Sequence, residues 1–254
     1  MNDDSTVDDG KGVYDFDDDD ELEDIPDKVN YSVKLIDVSR EYDLGRRKLT
    51  ALKNVNLEIR PGEFVVITGH SGSGKTTLLN LIGAIDYASS GRVLVMDVPI
   101  GDYDETFRAT FRLNNTGFIF QSYNLVSTLT ALENVMFPMQ LTDKKIDELQ
   151  SEAVRLLKRV KLDDRLDHLP WQLSSGEQQR VAIVRATAND PPIILADEPT
   201  ANLDVESSKM IRDLLVELHT EGKTVVVITH DERITELPEV RHLLMEDGVL
   251  KENV

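Results

Sequence analysis

The stretch Gly69-His70-Ser71-Gly72-Ser73-Gly74-Lys75-Thr76-Thr77 limits what this chain can fold into more than any other. It fits G-x-x-x-x-G-K-[ST], follows the apolar run Phe64-Val65-Val66-Ile67-Thr68 and precedes the helical pattern Leu78-Leu79-Asn80-Leu81-Ile82. A strand, a glycine-rich turn and a helix in that order make a phosphate-binding P-loop. Glycines let successive backbone N–H groups turn inward around an anion, and the helix that follows points its positive end at the same place. Lys75 is then placed for the β- and γ-phosphates and Thr76 for Mg²⁺. The plainer alternative is a glycine-rich turn beside an unrelated lysine, and the flanking strand and helix argue against it. The expected ligand is a nucleoside triphosphate.

A chain of 254 residues with 40% hydrophobic content has surface enough for one large or two small domains. No apolar run approaches the roughly 20 residues of a membrane span, and no basic segment with an apolar stretch opens the sequence, so the chain is expected to stay in the cytoplasm. The absence of cysteine excludes disulfides, zinc knuckles and a thiol nucleophile. The net charge of −19 is unevenly spread: residues 1–27 carry eleven Asp and two Glu against Lys11, a net of −12, which leaves −7 for the rest. This segment is expected to be a disordered acidic tail, because it has too little apolar surface to offset ordering entropy. It reads either as a solvated tail or as a dock for a basic partner surface. With no compensating basic block, nucleic acid is not an expected partner.

After Pro26 the composition changes. Tyr31 to Val38 and Leu52 to Ile59 alternate like half-buried strands, the second ending at the turn Arg60-Pro61-Gly62-Glu63, so an antiparallel β-layer is expected to lead into the P-loop strand. Tyr42, in the connection between them, is either hairpin packing or a flat face for a purine. Ser90 to Val95 and Phe118 to Phe120 read as further strands, and Gln121 ends the second. From Ser122 the pattern turns helical: a helix start at Leu132 to Val135, then an amphipathic helix over Lys144 to Val160 with Ile146, Leu149, Ala153, Leu156, Leu157 and Val160 on one stripe. This middle third is expected to be a helical subdomain, about 122–190, inserted in a nucleotide-binding core that spans 28–254.

Ser174-Ser175-Gly176-Glu177 fits a capping box, with Ser174 as N-cap of a helix through Val181, Ile183, Val184 and Ala186. A capped helix start is also a second phosphate site, and with one P-loop already present it would need another molecule's phosphate. Ile193 to Ala196 reads as a buried parallel strand ending in Asp197-Glu198, the Walker B arrangement, in which Asp197 serves the Mg²⁺ shell and Glu198 polarises the attacking water. Thr224 to Thr229 is another core strand and delivers His230 to the edge where nucleotides bind in open α/β sheets.

In this order and spacing the motifs resemble the nucleotide-binding subunit of ABC transporters over about residues 30–254. The residues that carry the resemblance are Walker A at Gly69–Thr76, the Q-loop Gln121, the signature Leu173-Ser174-Ser175-Gly176-Glu177, Walker B ending in Asp197-Glu198, the D-loop Ala201-Asn202-Leu203-Asp204 and the switch histidine His230. Tyr42 falls at the family's adenine-stacking position. The resemblance implies a P-loop NTPase of ABC type: an α/β fold with a mixed β core, an antiparallel β-layer and an inserted helical subdomain. It implies two copies facing head to tail, each ATP held between one copy's P-loop and the other's Ser174, Gly176 and Glu177. Glu198 is then the general base, Lys75 and His230 contact the γ-phosphate, and Gln121 links Mg²⁺ to a membrane permease docking near the Q-loop. Asp204 contacts the opposing P-loop. The chain would sit on the cytoplasmic face of the membrane.

One position departs from the family's usual Leu-Ser-Gly-Gly: Ser175 stands where the first glycine is expected. A β-carbon there is costly if the backbone needs positive φ and harmless if the residue only lines the turn; hydrolysis is expected to survive. The wording around Thr116 to Leu125, Ser71 to Gly83 and Gly176 to Ile183 is similar to the lipoprotein-release and macrolide-export group, which points to export or mechanical movement of cargo. The competing expectation is a soluble or regulatory ABC ATPase not coupled to transport; Glu198 and His230 argue against an inert regulator, and a single nucleotide domain argues against the ribosome-acting class.

Overall fold

The computed structural model describes residues 29–45, 47–142 and 145–252; the acidic segment 1–27 lies outside the described residues. A six-stranded sheet runs in the order β5-β6-β7-β3-β8-β9. It comprises β3 (Phe64–Thr68), β5 (Thr116–Ile119), β6 (Ile193–Asp197), β7 (Thr224–Ile228), β8 (Val240–Glu246) and β9 (Val249–Glu252). All neighbours pair in parallel except the edge pair β8–β9. A parallel sheet is covered on both faces, which is why β3, β6 and β7 are almost unbroken apolar runs.

Period-two alternation sorts those runs between two cores. Val65, Ile67, Ile193, Leu195, Val226 and Ile228 share one buried cluster with α1 (Lys75–Ile82) and a second, antiparallel sheet. Phe64, Val66, Ile194, Ala196, Val225 and Val227 share the other with α5 (Ser175–Thr187) and α6 (Val205–Thr220). The antiparallel sheet, order β2-β1-β4, is built from β1 (Val33–Asp43), β2 (Lys48–Ile59) and β4 (Ser90–Val95). It is the expected β-layer, with longer strands: Tyr42 lies within β1, paired with Leu49 of β2, rather than in a connection.

A third apolar cluster joins α3 (Ala131–Met139), α4 (Ile146–Arg159) and the outer face of α5. Leu149, Ala153, Leu156, Leu157 and Val160 are buried there as the helical stripe predicts, whereas Ile146 is 62% exposed because it opens the helix, one turn outside the packed face. The periodicity does not reveal α2 (Glu105–Asn115), which buries Phe107, Phe111 and also Arg108. Among the described residues, no helix is long and apolar enough to cross a membrane.

The sheet and α5 meet closely at Gly117 of β5, where a β-carbon would lie 2.1 Å from the Ala186 carbonyl oxygen. Overpacking of that kind costs about 1–3 kcal/mol. Gly117→Ala is therefore expected to lower the melting temperature of the nucleotide-free protein by about 4–8 °C, measured by thermal denaturation; an unchanged midpoint would show that α5 is free to back away from the sheet.

Candidate active site

The parallel register brings the carboxyl ends of β3, β6 and β7 to one edge, and each hands over to residues that line a single cavity of about 730 Å³. After β3 comes the loop Gly69–Gly74. Gly74 is the N-cap of α1 at φ 109°, and a β-carbon on it would meet the Ala51 carbonyl oxygen at 2.4 Å. Both the positive φ and the close approach of β2 require glycine there. Ser71, Gly72, Gly74, Lys75, Thr76 and Thr77 line the cavity; Gly69, His70 and Ser73 do not. Gly69 accepts a hydrogen bond from Lys75 Nζ at 2.6 Å, as does the His70 carbonyl at 3.0 Å. The His70 ring turns outward, with Nε2 at 3.3 Å from Asp247, and Ser73 Oγ is buried without a partner among the described residues. Burial lowers the Lys75 pKa, and the charges of Glu198 and Asp197 oppose that shift.

After β6 come the two carboxylates. Asp197 accepts from the Thr76 hydroxyl at 3.0 Å, which brackets the same corner of the cavity between α1 and β6. Glu198 stands in the left-handed region at φ 47°, its N–H bonded to the Ile228 carbonyl at 2.8 Å. This strained turn, of the kind that costs about 1–3 kcal/mol, aims the side chain at the strand edge. After β7, the His230 N–H donates to Glu198 Oε2 at 3.2 Å and His230 Nε2 lies 3.4 Å from Oε1. Burial raises the pKa of both carboxyls; the Thr76 hydroxyl and Lys75 pull Asp197 the other way, and His230 does so for Glu198. Gln121 and Tyr42 also line the cavity, as do Leu49, Thr50 and Ala51 of β2. Sequence reasoning passes over those three β2 residues, because nothing local marks a strand that serves as a cavity wall.

Ser174, Gly176, Glu177 and Asp204 are not in this cavity. Ser174 caps α5: its hydroxyl accepts from the Glu177 N–H at 3.3 Å and its N–H donates to Glu177 at 2.8 Å, the capping box expected. Ser174 and Ser175 are exposed. Ser175 is the first residue of α5 and is not among the residues with positive φ, so its β-carbon carries no strain penalty. The glycine requirement falls instead on Gly176, where a β-carbon would lie 2.3 Å from Ser207 Oγ. Asp204 caps α6, accepting from the Ser207 N–H at 2.8 Å and its hydroxyl at 2.7 Å. The two helix starts are thus packed together through Ser207, a contact with no signature in the sequence.

Residues 52–201 match the family model described as ABC transporter. The chain belongs to that family. It is an ATP-binding subunit of the ABC class of ATPases. An uncharacterized ATP-binding protein of Methanocaldococcus jannaschii, MJ0796, is 46% identical over 221 residues, 85% of this chain and 94% of that one. The solved dimer of the MJ0796 cassette bound to ADP and Pi superposes with a TM-score of 0.81 at 43% identity, covering 87% of this chain and 98% of that chain. The macrolide export ATP-binding/permease protein of Hyphomonas neptunium is 44% identical over 202 residues, 80% of this chain but only 31% of its own length. The cbiO1 protein of Clostridium perfringens, solved as part of an ABC transporter complex, has a TM-score of 0.75 at 32% identity and covers 87% of each chain.

The raised carboxyl pKa values fix the sign of a pH effect. A carboxyl whose folded-state pKa exceeds its unfolded value favours the fold only while protonated, so the contribution is full below the unfolded pKa and is lost as pH rises through the raised one. Asp197→Asn and Glu198→Gln are each expected to raise the melting temperature of the nucleotide-free protein by about 2–4 °C at about pH 7.5, with the gain vanishing towards about pH 4. Melting curves that coincide with wild type across that range would contradict the desolvation of this corner.

Proposed function

We propose that the chain is the ATP-hydrolysing, energy-coupling subunit of an ABC exporter or mechanotransmission system, working as a head-to-tail pair with two ATP at the interface. The observation that carries this reading is the division of the motifs: the P-loop, Asp197, Glu198, His230, Gln121 and Tyr42 surround one open cavity, while Ser174, Gly176, Glu177 and Asp204 lie on helix starts outside it. A triphosphate bound to one P-loop leaves its γ-phosphate side uncovered, and the exposed, capped start of α5 is the complementary surface that a second copy presents. The dimeric form of the MJ0796 cassette with ADP and Pi supports the arrangement, as does the macrolide-export relative for the direction of transport.

In this arrangement Tyr42 stacks on the adenine, and the backbone N–H groups from Gly69 to Thr77 cradle the phosphates. Lys75 exchanges its two carbonyl partners for β- and γ-oxygens. Mg²⁺ fits the donor set: the Thr76 hydroxyl and the Asp197 carboxylate are hard oxygen ligands 3.0 Å apart, joined by the amide oxygen of Gln121. When bound, it would neutralise phosphate charge. Glu198 takes a proton from the attacking water; the water oxygen bonds to the γ-phosphorus as the bond to the β-bridging oxygen breaks, giving ADP and phosphate. The burial that raises the Glu198 pKa makes it the stronger base, and His230 holds both of its oxygens in place.

Residues 28–254 then form one ATPase domain, with 122–190 as a helical insertion supported by its separate apolar cluster. A permease docks beside the Q-loop, where Asn134 of α3 binds the Val126 backbone and Val126, Phe137 and Leu141 are exposed. On this reading the protein sits on the cytoplasmic face of the membrane, and the cbiO1 protein, solved as part of an ABC transporter complex, supports such an assembly. The test is Glu198→Gln. Its steady-state ATPase rate is expected to fall at least about a hundredfold, and with MgATP it should elute as a dimer from a size-exclusion column while wild type does not persist as one. Wild-type turnover in the variant would remove Glu198 from the chemistry.

A further inference from the structure

Tyr42 lies near the end of β1, and two contacts hold its side chain, to Asp86 and to Arg40. Its hydroxyl donates to Asp86 Oδ2 at 2.7 Å. Arg40 grips the same carboxylate in two places, Nε to Oδ2 at 3.0 Å and Nη2 to Oδ1 at 2.6 Å. The Arg40 guanidinium carbon also stands 4.5 Å from the centre of the Tyr42 ring. Asp86 is itself fixed: its N–H donates to the Asn80 carbonyl at 3.2 Å, and the buried Arg108 donates to its carbonyl at 2.8 Å. Asn80 belongs to α1, the helix that begins at Lys75. The ring at the cavity wall is therefore tied to the far end of the helix whose near end faces the phosphates. Arg40 and Asp86 are only 22% and 19% exposed, so this two-pronged pair is screened less than a surface ion pair and holds a defined geometry.

We propose that Arg40 and Asp86 are positioning residues for base recognition: the pair clamps Tyr42 by its hydroxyl and covers one ring face with a cation, which leaves the opposite face for a purine. The proposal rests on the reading of Tyr42 as the base platform. A ring already held in one rotamer loses little entropy when a base stacks on it, whereas a loose ring on a strand end must be ordered at the moment of binding. The guanidinium adds a cation–π contact that stabilises the ring in the stacking orientation. The clamp acts on the base end of the ligand, so a ligand made of phosphate alone should not sense it.

The experiment is calorimetric titration of the full chain with MgADP and with magnesium pyrophosphate, ADP being chosen to avoid ATP-driven dimerisation. Tyr42→Ala is expected to weaken MgADP about tenfold, Arg40→Ala about fivefold and Tyr42→Phe about threefold, with Arg40→Lys between wild type and Arg40→Ala. Pyrophosphate affinity should stay within about twofold of wild type throughout. Adding Arg40→Ala to Tyr42→Ala should cause no further loss, because the clamp has nothing left to hold. If Tyr42→Ala weakens MgADP but Arg40→Ala and Tyr42→Phe leave it unchanged, the clamp is wrong. If Arg40→Ala and Arg40→Lys weaken pyrophosphate as much as MgADP, the pair only supports the fold, and the proposal is again overturned. If Tyr42→Ala itself has no effect, the base platform falls, and the proposal with it.

Discussion

The parallel pairing of β7 with β3 on one side and β6 on the other, Val225 and Val226 meeting Phe64 and Val65 and also Ile194 and Leu195, sets the positions of the groups at the nucleotide cavity. Because all three strands point the same way, the P-loop, the carboxylates Asp197 and Glu198, and His230 emerge at one edge from a buried apolar slab. Slipping one strand by a single residue would exchange the two cores, since alternate residues feed opposite clusters. The register is therefore held by burial on both faces, and the reactive groups inherit its precision.

The cavity has a second wall of different origin. The antiparallel sheet approaches so closely that the Ala51 carbonyl leaves no room for a β-carbon on Gly74, and its hairpin contributes Tyr42 to the lining of the same cavity. The cavity is thus lined from two sheets, and in the proposed function the parallel sheet's end takes the phosphates and the antiparallel sheet's Tyr42 takes the base. Burial of charge follows the same division. The carboxylates and Lys75 are partly desolvated at the parallel sheet's end of the cavity, where Lys75 lowers the pKa of both carboxyls and both carboxylates raise that of Lys75.

Much of this is legible in the sequence, for a physical reason. The P-loop, Walker B and signature residues are contiguous in the chain, so their local geometry, a nest, a strand end or a capped helix start, is written in consecutive letters. The unbroken apolar runs of β3, β6 and β7 announce a parallel sheet in the same way. What escapes a linear reading is held by long-range contacts. Asp86 reaches Tyr42 across 44 residues, Ser207 fills the space above Gly176, and α2 buries an arginine that periodicity counts as polar. The departure at Ser175 turns on a backbone angle. Serine is accommodated at the first helical position, and the steric demand sits one residue later.

Ser174, Gly176 and Glu177, at the start of α5, do not line the cavity that the P-loop lines. In the proposed function, catalysis needs a second copy whose α5 start closes that cavity. The most direct measurement is ATP turnover per chain as protein concentration is varied across the range in which light scattering sees the pair assemble. Turnover per chain should climb with concentration and level off as dimers saturate. A turnover number that stays constant from monomer to dimer would contradict the account.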